Sequence, residues 1–489
     1  MADGSDAPAV TEPGLLPGRA FARLGRNTAF SAVSFGLRMG VQVLLLVLAA
    51  RTLSTAEFGQ YTLAISLGSI FVVLCDYGFN FLATREVAQA PEAARLQLPD
   101  GALAKAWLSA IALVLLAVTL VFLGSSRTVV IASTVMMLSF LANSYGSYLT
   151  AVFKGLQRFD YETLSNTVLY GVLLVAQGAV LWLAPSPINL ALCFLAGRAV
   201  FVIVCAALYR RVVPGAWARP DAGRAWRMLR ASSPFALYTL SAVLSVQLGT
   251  VVLSYFAGEV AVGDFQKALR FGMAATIPLA IAEDVFYAFL SSLHTESAKR
   301  YAEAVVVLNS LGAAIILPMV SATALYGHDL VRAVYGGDVT TVVGESVVVV
   351  MGAYLLLYLL FISPTLMSLG REHGNLVIWV VGAAVNVISN VLLIPHYGVI
   401  GAAYAMLITY GTMKLAFVLY ARWLGLRLSD AQLWVRCVAP HLLAFLALWR
   451  GHAGIGIGLP IIGALGLLSF WWLLPAQRRV TLWPASSAR

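Results

Sequence analysis

Apolar stretches of about 20 residues recur along the whole chain, separated by short polar or basic connections. Such a stretch rises about 30 Å as a helix, the thickness of a bilayer's hydrocarbon core, so each can cross a membrane once. The pattern predicts spanning helices over 28–50, 58–82, 102–123, 128–153, 164–184, 188–209, 231–257, 265–293, 302–326, 344–369, 374–394, 399–421, 434–450 and 455–475. The expected fold is an all-α integral membrane protein of about 14 transmembrane helices. The longest connection, "RRVVPGAWARPDAGRAWRMLR" from Arg210 to Arg230, is basic and carries two tryptophans, which suits the surface of a membrane.

Two pairs of motifs indicate an internal repeat. "FGQYTLA" (Phe58–Ala64) and "VGDFQKA" (Val262–Ala268) share the pattern apolar-Gly-x-aromatic-x-x-Ala at an offset of 204 residues. "GLQRF" (Gly155–Phe159) and "LGREH" (Leu369–His373) form a looser pair. The chain divides accordingly into a disordered cytoplasmic tail (1–27), a six-helix lobe (28–209) and a basic cytoplasmic linker (210–230). A second six-helix lobe of the same orientation (231–421) and two additional helices (434–475) follow. Secondary transporters are often built from such repeats, with the substrate path at the repeat interface.

Composition agrees. The chain is 60% hydrophobic and 11% charged, where a soluble domain has roughly 45–50% and 25%. Its net charge of +10 is concentrated in alternate connections. Arg19, Arg23 and Arg26 precede the first span, Arg85 and Arg95 follow the second, and Lys154 and Arg158 follow the fourth. On the opposite side, "PSPIN" and "PHYG" carry no Lys or Arg. The positive-inside rule then places both termini in the cytoplasm of a multi-pass cell-membrane protein, and accounts for the charge without a nucleic-acid partner. No cleavage site follows a short apolar region, so the first stretch reads as a spanning helix.

Cys75, Cys193, Cys205 and Cys437 lie within apolar stretches, with the spacing of neither a disulfide framework nor a zinc site. The chain has no G-x-x-x-x-G-K-[ST], H-E-x-x-H or G-x-S-x-G motif and no large outer loop. No cofactor or metal is expected, and the pattern points away from an enzyme.

"NVLLIPHYGVIGAA" (Asn390–Ala403) turns the chain round in very few residues. Pro395 is expected to stop the helix and extend Ile394, and Gly398 to let the backbone reverse. Gly401, Ala402, Ala403 and Ala405 then allow close helix packing. Extended to "NVISNVLLIPHYGVIGAAYAMLITY" (Asn386–Tyr410), the stretch resembles a pattern of polysaccharide flippases, the Wzx-like transporters of the multidrug/oligosaccharidyl-lipid/polysaccharide exporter superfamily. "ARTLSTAEFGQY" (Ala50–Tyr61), "DYGFNFLATRE" (Asp76–Glu86), "FKGLQRFDY" (Phe153–Tyr161), "LRASSPFAL" (Leu229–Leu237) and "SLGREHGN" (Ser368–Asn375) are similar to that family's elements in the same order. The resemblance covers roughly residues 25–425. It implies a MATE-like fold of two pseudo-symmetric lobes. It also implies translocation of polyprenyl-phosphate or pyrophosphate sugars to the outer leaflet by alternating access. The alternative is an ion-coupled multidrug or cation exporter of the same superfamily. A glycan polymerase or glycosyltransferases are candidate partners, and a monomer is expected. Members often carry an acid early in the seventh helix, where this chain has Gln247 and Thr250.

A charge at the centre of a spanning helix costs about 2.5–3.5 kcal/mol on insertion scales, so it faces a cavity or a partner. Arg38 and Arg198 are mid-span, and Arg270 is expected near the outer end of its helix. Guanidinium groups bind phosphate oxygens in pairs, which makes Arg38, Arg270 and Arg198 the candidates for the substrate head group. The resemblance supports this, since related lipid II flippases place arginines of the first and eighth helices in a central cavity. Lys414 is a further intramembrane cation, while Lys105 is expected to snorkel. Glu283 and Asp284 are alternative candidates for proton or cation coupling. Asp76 is expected to anchor its helix end near Arg85, and Pro395 and Gly398 to be structural or gating residues.

Overall fold

A computed structural model describes residues 36–477 apart from 91, 93, 214–218, 295–297, 337–338, 427, 429–430 and 452–453. The predicted tail, 1–27, lies outside the described residues. Among the described residues the structure is helical, with no strand. Among the described residues nine helical runs have the length and apolarity to cross a membrane, and Glu372–Trp423, which reverses at Gly398, is long enough to cross twice. The chain is a multi-pass membrane protein of 14 helices, in two lobes and a C-terminal pair.

The first lobe holds α1 (36–52), α2 (Thr55–Asp76, continued by Phe79–Gln89), α3 (Ala94–Phe122), α4 (Arg127–Gly155), α5 (Phe159–Leu183) and α6 (Pro187–Val212). The helical run Ala222–Ala275 reverses at Gly258 into α7 (222–257) and α8 (259–275, continued by Ile277–His294). Then come α9 (Ala298–Tyr335), α10 (Thr341–Tyr358, continued by Ile362–Ser368), and α11 (372–397) and α12 (399–423), which join at Gly398. The C-terminal pair is α13 (Ala431–Arg450) and α14 (Ile455–Gln477). We call the end with the arginine-rich connections the basic end, and the end with Gly258 and Gly398 the far end.

Two far-end hairpins, α7–α8 and α11–α12, each turn on a single glycine. Gly258 has φ 80 and ψ −175, and Gly398 has φ 55 and ψ −127, regions that a side chain all but forbids. This corrects the expected break at Pro395. Ile394 stays helical and the reversal falls at Gly398, because a proline in a helix's last turn removes one hydrogen bond without ending the helix. The hairpin is tight as expected, for a Cβ on Gly401 would meet the Leu393 carbonyl oxygen at 2.6 Å. The turn at Gly258 likewise moves the start of α8 forward from the expected residue 265.

The repeat is visible in three dimensions. α2 and α8 cross at the far end, where Gly59 lies against the carbonyl of Glu259 and Gly263 against that of Thr55. Gly59 and Gly263 are 204 residues apart, and so are Thr55 and Glu259, so one contact occurs twice with the lobes exchanged. The looser motif pair is also a repeat, at a register one residue shorter. α4 and α10 both end in a left-handed residue, Gln157 (φ 58) and Gly370 (φ 67). The amides of Arg158 and Arg371 then reach back to the carbonyls of Phe153 (2.8 Å) and Leu366 (3.0 Å). That is the Schellman way of ending a helix.

Candidate functional site

α1, α2, α4, α5, α6 and α8 surround a cavity of about 170 Å³ in the membrane-spanning part of the protein. Its polar groups are Gln42, Tyr61, Tyr170, Gln177, Arg198 and Arg270. Two of the three arginines expected at the site, on different lobes, therefore share one cavity.

Arg198 is only 7% exposed. Its Nη1 donates to Ser139 Oγ at 3.2 Å, and its guanidinium lies 4.2 Å from the Phe140 ring centre and 4.9 Å from that of Phe194. These rings fix the plane of the guanidinium by cation–π attraction. Its Nε is buried without a hydrogen-bond partner. Arg270 enters from the opposite lobe. Its Nε donates to Gln266 Oε1 at 3.0 Å, and Gln266 Nε2 donates to Thr250 Oγ1 at 2.6 Å. Ser66 Oγ joins this network by accepting from Gln266 Nε2 at 3.5 Å, and donates to Gln247 Oε1 at 2.9 Å. Arg270 Nη1 points at Met273 Sδ, 3.8 Å away, and its Nη2 is buried and unpaired.

Gln247 and Thr250, which stand where the family often has an acid, thus belong to a neutral scaffold around Arg270. An acid there would neutralise the guanidinium, whereas amides and hydroxyls orient it and leave its charge. Among the described residues, neither Arg198 nor Arg270 has a carboxylate partner. Arg270 is also deeper than expected. With α8 starting just after Gly258 it lies 12 residues from the hairpin, about 18 Å along the helix.

Arg38 is exposed and outside the cavity wall. It precedes Val41 and Gln42, which line the cavity, by one helical turn and shares their face of α1. It is within electrostatic reach of Tyr170.

Glu283 lines a separate cavity of about 90 Å³ within the second lobe, with Tyr358, Ser363, Trp379 and Lys414. Lys414 is buried and donates to the Leu357 carbonyl at 3.2 Å. The backbone of Asp284 is helical, and its side chain lies outside the described residues.

The expected anchor of Asp76 is corrected. Its partner is Lys105 of α3, whose Nζ is 3.3 Å from Asp76 Oδ1, 2.6 Å from Ser144 Oγ and 3.0 Å from the Cys75 carbonyl. Arg85 stands exposed on the second segment of α2. Lys105, expected to snorkel, has no exposed side-chain surface. α2 breaks at Tyr77 and Gly78, both left-handed, and the ammonium caps the Cys75 carbonyl just before the break.

The lobes are tied together at both ends. At the far end, Arg51 donates to the carbonyls of Val334 (2.7 Å) and Ala333 (2.9 Å), Gln60 to Glu259 (2.6 Å) and Lys267 to Thr55 (3.1 Å). At the basic end, buried Asp100 of α3 accepts from Arg224 and, at 2.7 Å, from the Asp221 amide.

The class that fold and site define is a two-lobed membrane transporter fold with an arginine-lined cavity between the lobes. The polysaccharide biosynthesis protein family matches residues 24–294, more than half of the chain, and the chain belongs to that family. A curated relative, "Probable flippase AglR" of Haloferax volcanii, is 30% identical over 179 residues, which are 36% of this chain and 37% of the relative. The chain thus matches little more than a third of that relative's length. Among solved structures, lipid II flippase MurJ in an inward closed conformation superposes with a TM-score of 0.74 at 14% identity, over 92% of this chain and 99% of that one. An inward-facing multidrug resistance MATE family transporter superposes with 0.63 at 14% identity, over 81% and 97%. At such identities these likenesses establish the fold.

Proposed function

We propose that the protein is a flippase for lipid-linked saccharides, carrying polyprenyl-phosphate or pyrophosphate sugars across the cell membrane from the cytoplasmic to the outer leaflet. One observation carries this reading. Arg198 and Arg270 line one cavity from different lobes, each keeps a buried guanidinium nitrogen without a hydrogen-bond partner, and among the described residues neither has a carboxylate to neutralise it. A buried unpaired cation costs several kcal/mol, and a phosphate oxygen offsets that cost. The printed names of the Haloferax relative and of MurJ agree with this direction. A cation exporter is the second reading of the fold, but two buried arginines repel its cargo.

In this reading the basic end faces the cytoplasm and both termini lie there. The head group passes Arg38 and is held by Arg198 and Arg270, while the polyprenyl tail stays in the bilayer. The far-end crossing of α2 and α8 then opens and the basic end closes. Glu283, beside Lys414, is the coupling candidate that faces a cavity, and Asp284 on the same helix is the alternative. The protein acts as a monomer, next to the glycosyltransferases or polymerase that make and use its cargo.

The test is flipping in proteoliposomes of a fluorescent polyprenyl-pyrophosphate sugar, read as its exposure to the outer face. Arg270→Gln or Arg198→Gln should lower the rate by at least about ten-fold, the cost of one charged hydrogen bond. Wild-type rates in both variants, or export of cationic drugs in place of lipid, would reject the reading.

A further inference from the structure

A second cleft, of about 580 Å³, lies at the basic end between α2 and α3 on one side and α7 on the other. It is lined by Tyr77, Leu108, Trp226, Leu229, Arg230 and Ser233. Its volume is in the range of small-molecule sites and exceeds that of the central cavity.

Three features give the cleft a defined chemistry. The first is a free cation. Arg230 is exposed, and among the described residues its guanidinium has no ion pair or hydrogen bond. Asp76 and Asp100, carboxylates of the helices that wall the cleft, are already matched, by Lys105 and Arg224. A phosphate here meets an uncompensated guanidinium and little opposing charge. The second is a pair of aromatic rings, Tyr77 and Trp226, from opposite walls. Flat apolar rings with a polar edge suit the C–H faces and hydroxyls of a sugar. The third is backbone strain, since Tyr77 holds φ 40, a left-handed conformation that disfavours an L-residue. The break that Lys105 caps therefore also sets the position of the cleft's aromatic wall.

We propose that this cleft is a landing site for the lipid-linked saccharide. Arg230 takes the phosphate, Trp226 and Tyr77 take the first sugar, and Leu108 and Leu229 take the start of the lipid. The site rests on the flippase reading and deepens it, because the substrate is captured at the basic end before it reaches Arg198 and Arg270. An ordinary anionic phospholipid offers the same phosphate without the sugar, and the test separates the two.

The full chain in nanodiscs would be titrated calorimetrically with farnesyl-pyrophosphoryl-hexose, with sugarless farnesyl pyrophosphate and with a short-chain phosphatidylglycerol. Arg230→Gln should weaken both pyrophosphates about ten-fold. Trp226→Ala should weaken only the sugar-bearing ligand, and Trp226→Phe should restore it. Both effects should persist in an Arg198→Gln, Arg270→Gln background, where the central cavity is disabled. Unchanged binding in Arg230→Gln and Trp226→Ala overturns the proposal, as does equal competition by phosphatidylglycerol. Flipping measured in parallel keeps the two readings apart. Binding that depends on Trp226 without flipping leaves the site and removes the flippase reading. Flipping that is indifferent to both variants at limiting substrate leaves the flippase reading and removes the site.

Discussion

Lys105 and Asp76 form an ion pair across two helices in which the ammonium has no exposed surface and the carboxylate keeps 35% of its own. Truncating one member of such a pair leaves the other uncompensated. Lys105→Met is therefore expected to destabilise the protein by about 2–4 kcal/mol, below the full buried-pair cost because Asp76 is partly solvated. Asp76→Asn should cost less, and the double variant less than the sum of the two. Thermal unfolding of the single and double variants in detergent measures this coupling. Simple additivity would mean that the pair contributes nothing.

Gly59 and Gly263 set how closely the lobes approach at the far end. A methyl group at either position collides with a backbone carbonyl of the other lobe, which cannot move aside as a side chain can. Gly59→Ala and Gly263→Ala should each disfavour the far-end-closed state by about 1–3 kcal/mol. The shift would appear as faster modification of a cysteine placed at Tyr61 by a reagent added from the far side. The two variants should act alike, because their contacts are copies.

Gln157 and Gly370 occupy the same left-handed position in two copies of one helix ending, yet only Gly370 tolerates it without strain. Gln157→Gly is expected to stabilise the protein by about 0.5–1 kcal/mol, and Gly370→Gln to destabilise it by about 1–2 kcal/mol. Melting temperatures of the two variants test the opposite signs.

Gly398 and Pro395 should respond unequally. Gly398→Ala puts a side chain at φ 55 and ψ −127 and should cost about 1–3 kcal/mol. Pro395→Ala should lie within about 1 kcal/mol of wild type, since Pro395 does not make the turn. Folded yield and melting temperature distinguish the two. A greater loss from Pro395→Ala would move the hairpin's determinant back to the proline.

Arg158, the cap residue before α5, donates two hydrogen bonds, at 3.0 and 2.8 Å, to Asp160 in the polar first turn of that helix. They hold the Asp160 carboxyl below its usual range. The stabilisation is present above the unfolded carboxyl's ordinary value and is lost as pH falls through the lower folded value. Both side chains are more than a third exposed, so Asp160→Asn should cost less than about 1 kcal/mol at pH 7. That difference should shrink as the pH drops below the unfolded carboxyl's ordinary value, as melting curves at pH 7 and pH 3 would show.

Helix number and lobe order were legible because bilayer thickness imposes one repeating length on the sequence. Helix ends were less so. The polar run "GEVAVGD" (Gly258–Asp264) has the composition of a loop, yet one glycine makes the whole turn and the rest is helix. Arg198 and Arg270 were visible as isolated charges in apolar surroundings. Tyr61, Tyr170 and Gln42 were not, since their meeting in one cavity depends on three helices whose relative rotation no local pattern encodes. Lys105 was misread for a related reason. Snorkelling is a local inference, whereas the partner that keeps it buried is on another helix. Two opposite charges at matching depth in consecutive spans were the available signal.

At the 204-residue register of the α2–α8 crossing, the counterpart of Arg270 is Ser66. A chain made of two identical halves would have set a guanidinium against a guanidinium across the axis, or none at all. Divergence after duplication let one half supply the charge and the other a hydroxyl in the network that steadies it. The charge asymmetry of the cavity is thus carried on a scaffold whose α2–α8 contacts remained duplicate.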